Sequence, residues 1–340
     1  MSLARLRNLK TQSWPPRPTF TEANVPAGSQ AGRVFMVTGG NAGIGFELCK
    51  ILYPTGATIY MASRSRGKAE TAIKAITESV PRTQAGRGHI KFLHLDLNDL
   101  DSVKAAAHSF AQQESKLDVL WNNAGAGANR VKLGERTAQG FEPMMGMHCV
   151  ATLLFSALLT PQLKAAAAGA ESTSGATRIV WLASALVDSG SKHGIDFGVL
   201  ETGTSDSVQN YAASKMGSWI LGREFARRHG RDGILSVALN PGNLRTGGYD
   251  GTSKLLMSVL NATMLHEPVI GAYSELFAGL SPEITMEQNG IYIIPWGRLL
   301  PDADVVRQDI LSAMKPEEEG GLGYGRRFWE WCETQWKPYV

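Results

Sequence analysis

The fold of this 340-residue chain is decided by one stretch, Val34-Phe-Met-Val-Thr-Gly-Gly-Asn-Ala-Gly-Ile-Gly45. Its first four residues form a short apolar run that favours a β-strand, and the residues after Gly45 continue with helical periodicity to Leu52. The glycines at positions 39, 43 and 45 let the backbone turn tightly and approach a diphosphate, because they carry no Cβ atom. The helix that follows would present its free N–H groups to that anion. A glycine-rich turn without a ligand is the alternative, so the motif needs support from the rest of the chain.

The next strand bears on the choice of cofactor. Ala57-Thr-Ile-Tyr-Met-Ala62 is typical of a β-strand and is followed by Ser63-Arg64. A dinucleotide-binding fold that prefers NAD has an acidic residue near this point for the ribose hydroxyls, and no Asp or Glu stands here. Arg64 is instead a cation suited to a 2′-phosphate, so we expect NADP(H) rather than NAD(H). Arg66 and Lys68 either assist or are solvated surface residues.

Small and polar residues follow four further strand-like segments. They are Asp96-Leu97, Asn122-Asn-Ala-Gly125, Ala183-Ser184 and Asn240-Pro-Gly-Asn-Leu-Arg-Thr246. In an open parallel sheet, ligands bind outside the carboxyl ends of the strands. The sequence therefore predicts an α/β protein with a Rossmann-type, doubly wound parallel sheet of about six or seven strands, and with a ligand along one edge.

A tyrosine and a lysine lie four residues apart in Tyr211-Ala-Ala-Ser-Lys215, inside a helical pattern. This spacing places the phenol and the ammonium on one face of a helix, one turn apart. A nearby ammonium favours the phenolate and so lowers the pKa of a phenol. Such a phenol can exchange a proton with a substrate oxygen near neutral pH. The pair alone is a weak signal, because most pairs of this kind are ordinary helix surface.

Taken together, these motifs resemble the short-chain dehydrogenase/reductase family in order and spacing from about residue 32 to about residue 296. Ser63-Arg64, the run Asn240–Thr246 and the wide gap between Ser184 and Tyr211 resemble its retinol-dehydrogenase-like branch, and fungal reductases of secondary metabolism are similar. With the residue patterns above, the resemblance implies NADP(H) contacts from Gly39, Asn41, Gly43, Ile44, Gly45, Ser63, Arg64, Asp96, Leu97, Asn122, Ala124, Gly125, Tyr211, Lys215, Pro241, Gly242, Leu244 and Thr246. No metal is implied.

The resemblance also implies a mechanism. Tyr211 would be the general acid that protonates a carbonyl oxygen, Lys215 would lower its pKa and hold the nicotinamide ribose, and Ser184 would bind the substrate oxygen. The expected function is an NADPH-dependent oxidoreductase, acting on C=O and CH–OH groups, that reduces a ketone or aldehyde of a hydrophobic small molecule. A secondary metabolite of a fungal pathway would be such a substrate.

Two positions depart from the family pattern. Ala183 stands where many relatives have a serine, and we interpret that difference as neutral because Ser184 aligns with the catalytic hydroxyl. In the long helix before the strand that ends at Ser184, the family has an Asn that anchors a water, and this water relays protons to the lysine. His148 aligns with that Asn. An imidazole can also bind a water, so His148 is included among the catalytic residues. The alternatives are an impaired relay or a satisfied core histidine. An impaired relay would suit a protein that steers a cyclisation or isomerisation with little or no net hydride transfer.

Composition and charge exclude some functions. A hydrophobic content of 43% and a charged content of 19% are typical of a globular protein, and a net charge of +3 without a basic stripe gives no indication of nucleic-acid binding. Three cysteines without metal-ligand spacing fit a reducing cytosol, and no signal peptide is recognised, so we expect a cytoplasmic protein. The apolar run Val150–Thr160 is too short to span a membrane, and we interpret it as a core helix. A homodimer is one possible oligomeric state, and the sequence does not decide it.

We divide the chain into three parts. They are an N-terminal extension (1–31), expected to be loosely ordered; one short-chain dehydrogenase/reductase domain (32–300); and an aromatic C-terminal extension (301–340). Segment 247–265 is either a mobile lid over the substrate or ordinary packing. The aromatic residues of the C-terminal extension should dock on their own domain, close over the pocket or cover a partner subunit, and docking on their own domain is the first expectation.

Overall fold

A computed structural model describes residues 3–81, 86–169, 174–245 and 264–340 of the chain. Within these ranges the strands form one eight-stranded sheet in the order β3-β2-β1-β4-β5-β6-β7-β8. They are β1 (Val34–Thr38), β2 (Thr58–Ser63), β3 (His89–His94), β4 (Val119–Asn122), β5 (Thr177–Leu182), β6 (Ile234–Leu239), β7 (Tyr292–Ile294) and β8 (Arg298–Leu300). Strands β1 to β7 pair in parallel, whereas β8 pairs with β7 in antiparallel fashion. The predicted parallel sheet is confirmed, and β8 is an additional edge strand that the sequence did not indicate.

Helices cover both faces of the sheet. They are α1 (Leu3–Ser13), α2 (Gly43–Leu52), α3 (Arg66–Ser79), α4 (Leu100–Ala111), α5 (Pro143–Ala167), α6 (Ser207–His229), α7 (Pro268–Leu280), α8 (Gln308–Met314) and α9 (Tyr324–Trp336). One hydrophobic core lies between the sheet and α4, α5, α6, α8 and α9. A second core lies on the opposite face, under α2, α3 and α7. The arrangement is the doubly wound α/β fold that the motifs predict.

Strand β1 shows why the apolar runs in this sequence are continuous rather than alternating. Phe35 and Val37 belong to one core, and Met36 belongs to the other. All five residues of β1 are buried. A parallel sheet covered by helices on both faces needs apolar side chains at every position, because both sides of each strand are removed from water.

The order of the strands places a crevice at the centre of the sheet. Strand β1 pairs with β2 on one side and with β4 on the other, so the chain reverses its direction of winding between β1 and β4. In open α/β sheets, ligands bind outside the carboxyl ends of the strands at this switch point. The glycine-rich turn follows β1, and Asn122 is the last residue of β4.

The N-terminal extension is more ordered in the described residues than expected. Helix α1 ends at Ser13, and both Gln12 and Ser13 are buried. Phe20 and Val25 belong to the core under α2 and α7, and the ring of Phe20 packs edge-on against Phe277 at 5.9 Å between centroids. Apolar anchors of this kind hold the extension against the domain, whereas the polar and proline-rich composition around them suggested a loose arm.

The C-terminal extension docks on its own domain through α9. Phe328 and Trp329 are buried, and the ring of Trp329 lies 6.0 Å from the ring of Phe225 on α6. The close approach depends on Gly217 of α6, where an added Cβ atom would lie 2.8 Å from the Phe328 ring. The aromatic residues therefore pack against the back of the helix that carries Tyr211.

Helix α5 is the one segment of the described chain with the length and hydropathy to cross a membrane. Of its most apolar window, 83% is buried inside the protein. Long apolar helices of this kind are common in protein interiors, because a helix that is hydrophobic all round needs neighbours on every side. Its position matches the predicted core helix.

Candidate active site

A cleft of about 1720 Å³ runs along the carboxyl edge of the sheet. Most of the predicted site residues line it together: Gly39, Asn41, Gly43, Ile44, Ser63, Arg64, Asp96, Leu97, Ala124, Gly125, Ser184, Tyr211, Lys215, Pro241, Gly242 and Leu244. Gly45, Asn122 and His148 are not among the lining residues and lie behind the wall. Thr246 and the predicted lid up to residue 263 lie outside the described residues.

The glycine-rich turn has the shape that a diphosphate requires. Gly39 and Gly43 adopt φ values of +69° and +57°, which side chains with a Cβ rarely tolerate. An added Cβ at Gly45 would lie 2.7 Å from the carbonyl oxygen of Gly39, so α2 can approach the turn only because this residue is glycine. No side chain caps the N-terminus of α2, which leaves its first N–H groups for an anion. These residues fit the diphosphate of a dinucleotide.

Two side chains tie this turn to the end of β4. The Thr38 hydroxyl accepts from the backbone N–H of Ala124 at 2.9 Å and donates to the carbonyl oxygen of Trp121 at 3.2 Å. The Asn123 amide donates to the carbonyl oxygen of Thr38 at 2.7 Å. The hydrogen bonds hold two strand ends in fixed register. Thr38 and Asn123 were part of the quoted motifs, but the sequence did not single them out as site residues.

Arg64 and Asp96, which the sequence predicts to contact the adenosine part of the cofactor, lie together in the cleft. The Arg64 Nη1 atom is 3.9 Å from Asp96 Oδ2, and the Arg64 side chain is 70% exposed. Arg66 is equally exposed but pairs with Glu70 at 3.4 Å, and its guanidinium lies over the Phe92 ring. Lys68 lines the cleft, whereas Arg66 does not. Of the two residues that the sequence left open, the structure thus brings only Lys68 to the site.

The predicted catalytic residues Ser184, Tyr211 and Lys215 meet in the cleft. Lys215 is 3% exposed, and its ammonium donates to the carbonyl oxygen of Leu182 at 2.9 Å. The Lys215 Nζ atom lies 5.7 Å from the centroid of the Tyr211 ring. Burial lowers the pKa of Lys215 to about 8, because the charged form loses its water. The arrangement brings the Tyr211 phenol, the Lys215 ammonium and the Ser184 hydroxyl into one part of the cleft.

His148 occupies a turn of α5, Gly146–Ala151, that is π-helical. Its Nε2 atom accepts from the backbone N–H of Ala126 at 3.1 Å, so the proton of the neutral ring is on Nδ1. Nδ1 lies 2.8 Å from the Ser214 hydroxyl, which in turn donates to the carbonyl oxygen of Tyr211. Burial, with a smaller contribution from the charge of Lys215, lowers the pKa of His148 well below its usual value. The imidazole is a neutral bridge between the loop after β4 and α6, with both nitrogens engaged.

The comparisons with known proteins agree with this geometry. A family model described as short chain dehydrogenase matches residues 33–197. The chain is also similar to the short-chain dehydrogenase/reductase iacJ of Pestalotiopsis fici, with 48% identity over 339 residues that cover 99% of this chain and 100% of that protein. The chain belongs to the short-chain dehydrogenase/reductase family. The family resemblance found in the sequence is therefore confirmed, whereas the retinol-dehydrogenase-like branch stays a prediction.

Further relatives extend over the same length. A short-chain dehydrogenase/reductase of Phomopsis amygdali is 41% identical over 344 residues, which cover 100% of this chain and 99% of that protein. Among solved structures, an uncharacterised protein from Mycobacterium paratuberculosis matches with a TM-score of 0.65 at 24% identity, covering 94% of this chain and 97% of that one. L-sorbose reductase from Gluconobacter frateurii, complexed with NADPH and L-sorbose, matches with a TM-score of 0.58 at 20% identity, covering 80% and 98%. These structures share the fold of this short-chain dehydrogenase/reductase.

Sequence reasoning missed a group of lining residues outside the family motifs. They are Asn8, Leu9, Gln12 and Ser13 of α1, together with Val306 and Arg307 of the C-terminal extension. Both extensions thus reach the cleft of this family member. No local pattern marks these residues, because their position depends on contacts between distant parts of the chain.

Proposed function

We propose that this short-chain dehydrogenase/reductase is an NADPH-dependent carbonyl reductase that converts a ketone or aldehyde of a hydrophobic small molecule to an alcohol. A fungal specialised-metabolite pathway in the cytosol is its proposed setting. The observation that carries the proposal is the meeting of Ser184, Tyr211 and the buried Lys215 in the same cleft as the glycine-rich turn. Loss of NADPH absorbance with a panel of ketones and aldehydes tests it, and cofactor binding without turnover of any carbonyl would contradict it.

In this mechanism, each of the three side chains has a separate task. The bound cofactor supplies the hydride. Tyr211 donates its phenolic proton to the carbonyl oxygen as negative charge develops there. Lys215 stabilises the resulting phenolate, and Ser184 donates a hydrogen bond to the same substrate oxygen. His148 holds Ala126 and Ser214 in place rather than contacting the substrate.

Apolar residues in the cleft support the proposal of an apolar substrate. Leu186, Val208, Met264 and Val306 are among the lining residues, and Val208 is 51% exposed. A steering role in a cyclisation or isomerisation was the alternative, and it rested on His148. Since His148 does not line the cleft and both its nitrogens have protein partners, nothing among the described residues favours that alternative.

The cofactor preference gives a prediction with a matched control. Replacing Arg64 by Ala should weaken NADPH binding by about tenfold or more, because a charged hydrogen bond to the 2′-phosphate is lost, and should leave NADH binding unchanged. Replacing Arg66 by Ala removes an equally exposed cation that does not line the cleft, so both cofactors should bind as before. Titration calorimetry with each cofactor measures this. Equal losses for NADPH and NADH in the Arg64 variant would overturn the preference.

The lowered pKa of Lys215 predicts the pH dependence of reduction. Below about pH 8 the Lys215 ammonium is present, and above that pH it loses its proton, so kcat should fall as the pH rises through about 8. Burial lowers the pKa of His148, so its imidazole should add no step near the usual histidine pKa. A pH profile of kcat with saturating NADPH checks both statements. A step in kcat near the usual histidine pKa that disappears on replacing His148 by Gln would contradict the statement about His148.

A further inference from the structure

Helix α1 forms part of the cleft wall, although it lies outside the family motifs. Asn8, Leu9, Gln12 and Ser13 line the same cavity as Ser184 and Tyr211. Leu9 is 49% exposed, and Leu6, one turn earlier on the same helix, is 45% exposed but does not line the cavity. A half-exposed leucine in a cleft offers apolar surface that a ligand can cover.

Two sets of hydrogen bonds hold the C-terminal end of α1 against the sheet. The Asn240 amide donates to Gln12 Oε1 at 2.8 Å, and both residues are buried. The Asn240 side chain also accepts from the backbone N–H of Gly242 at 3.0 Å, so Gln12 is linked to the loop after β6. Arg298 of β8 donates to the hydroxyl and the carbonyl oxygen of Thr11 at 2.9 and 2.6 Å. Charged hydrogen bonds to a terminal helix carbonyl are among the stronger contacts of this kind.

A third contact joins α1 to the turn that follows the catalytic serine. Asn8 Nδ2 donates to Asp188 Oδ2 at 2.5 Å, and Asp188 belongs to the 3₁₀ turn Ala185–Ser189 directly after Ser184. On the other side, Arg307 of the C-terminal extension donates to the carbonyl oxygens of Asp188 and Ser191 at 3.1 and 2.9 Å. Arg307 is itself paired with Asp309 at 2.7 Å and is 8% exposed. Contacts from both the N-terminal and the C-terminal extension therefore hold the turn beside Ser184 in place.

We propose that helix α1 is the substrate-side wall of this active site and that Leu9 is a specificity-determining residue that packs against the apolar body of a bulky, neutral carbonyl substrate. The inference rests on the proposed carbonyl-reductase function for the use of the cleft. The positions of Asn8 and Gln12 fix the helix, and Leu9 between them faces the ligand. On this proposal, a small ketone bound by Ser184 and Tyr211 makes no contact with Leu9, whereas a bulky one extends along α1.

Leu9→Ala and Leu6→Ala form a matched pair for the test, because they remove the same side chain from two half-exposed positions of one helix. With 2-acetylnaphthalene as the bulky ketone, Leu9→Ala should raise KM by about tenfold and leave kcat and the Kd for NADPH unchanged. With butanone as the small ketone, neither variant should differ from wild type. Unchanged KM for 2-acetylnaphthalene in Leu9→Ala, or equal changes in both variants, would overturn the inference.

Binding measured without turnover separates this inference from the reductase proposal. Nile red, a neutral polycyclic dye, is titrated into each protein loaded with NADP⁺. Weaker dye binding in Leu9→Ala alone supports the role of α1 as the substrate-side wall, even if no ketone is reduced. The absence of ketone reduction would contradict only the reductase proposal. Equal dye binding in wild type, Leu6→Ala and Leu9→Ala would overturn the wall. Identical thermal unfolding of the two variants shows that the fold is retained.

Discussion

Replacing Tyr211 by Phe should lower kcat/KM for ketone reduction by about 10²–10⁴-fold, which is the usual contribution of a positioned general acid. The variant keeps the aromatic ring that lies 5.9 Å from the ring of His148 and removes only the ionisable hydroxyl. Lys215 retains its hydrogen bond to Leu182, so the Kd for NADPH should stay within about twofold of wild type. Steady-state kinetics and cofactor titration measure the two quantities.

Tyr324→Phe serves as the control for this experiment. Tyr324 lies on α9 and contacts the rings of His193 and Phe197, away from the cleft-lining residues. Removing its hydroxyl should leave kcat/KM unchanged. If Tyr211→Phe were as active as wild type, Tyr211 would not be the proton donor, and the mechanism proposed for this cleft would be wrong.

Replacing Glu275 by Gln should stabilise the protein by a few kcal/mol at alkaline pH, since a tenfold change in proton affinity between the folded and unfolded states corresponds to about 1.4 kcal/mol. Glu275 of α7 is 1% exposed, and its Oε2 atom has no hydrogen-bond partner. Burial raises the pKa of its carboxyl from 4.5 to about 8, against a smaller opposing effect of the Lys215 charge. The folded state therefore holds a proton that the unfolded state has lost between these two pH values, and stability declines as the pH rises through this window.

The amide introduced by Glu275→Gln does not ionise in this pH range, so this source of pH dependence should vanish. Thermal unfolding at about pH 5.5 and about pH 8.5 should show a larger gain for Glu275→Gln at the higher pH. Glu287→Gln is the control, because Glu287 is an exposed carboxylate at a surface turn. An equal gain at both pH values would mean that the Glu275 carboxyl is not protonated in the folded protein at neutral pH.

The parts of the site that the sequence predicted are those set by local chemistry. The positive φ of Gly39 and the close approach of Gly45 to the Gly39 carbonyl oxygen arise within one tight turn before a helix, and the helical spacing of Tyr211 and Lys215 is a property of one segment. Strand ends in a parallel sheet meet at one edge, so Ser184 could be added to the same cleft by topology alone.

The parts that the sequence did not predict depend on contacts between distant residues. Gln12 meets Asn240 across 228 positions, and Arg298 meets Thr11 across 287, so no window of the sequence contains both partners. The engagement of His148 likewise depends on where Ala126 and Ser214 lie after folding. The sequence left the choice between a relay and a buried histidine open for that reason.

The packing of α9 has a practical consequence for expressing this protein. Phe328 sits against Gly217, and Arg228 stacks on the Trp329 ring at 4.5 Å, so the end of the chain shields the apolar back of α6. The family motifs end near residue 300, so a recombinant protein could be truncated there. That truncation would expose the apolar surface of α6, the helix that carries Tyr211. We expect such a truncated protein to aggregate in solution. A purification tag should therefore be placed where it does not disturb the packing of α9.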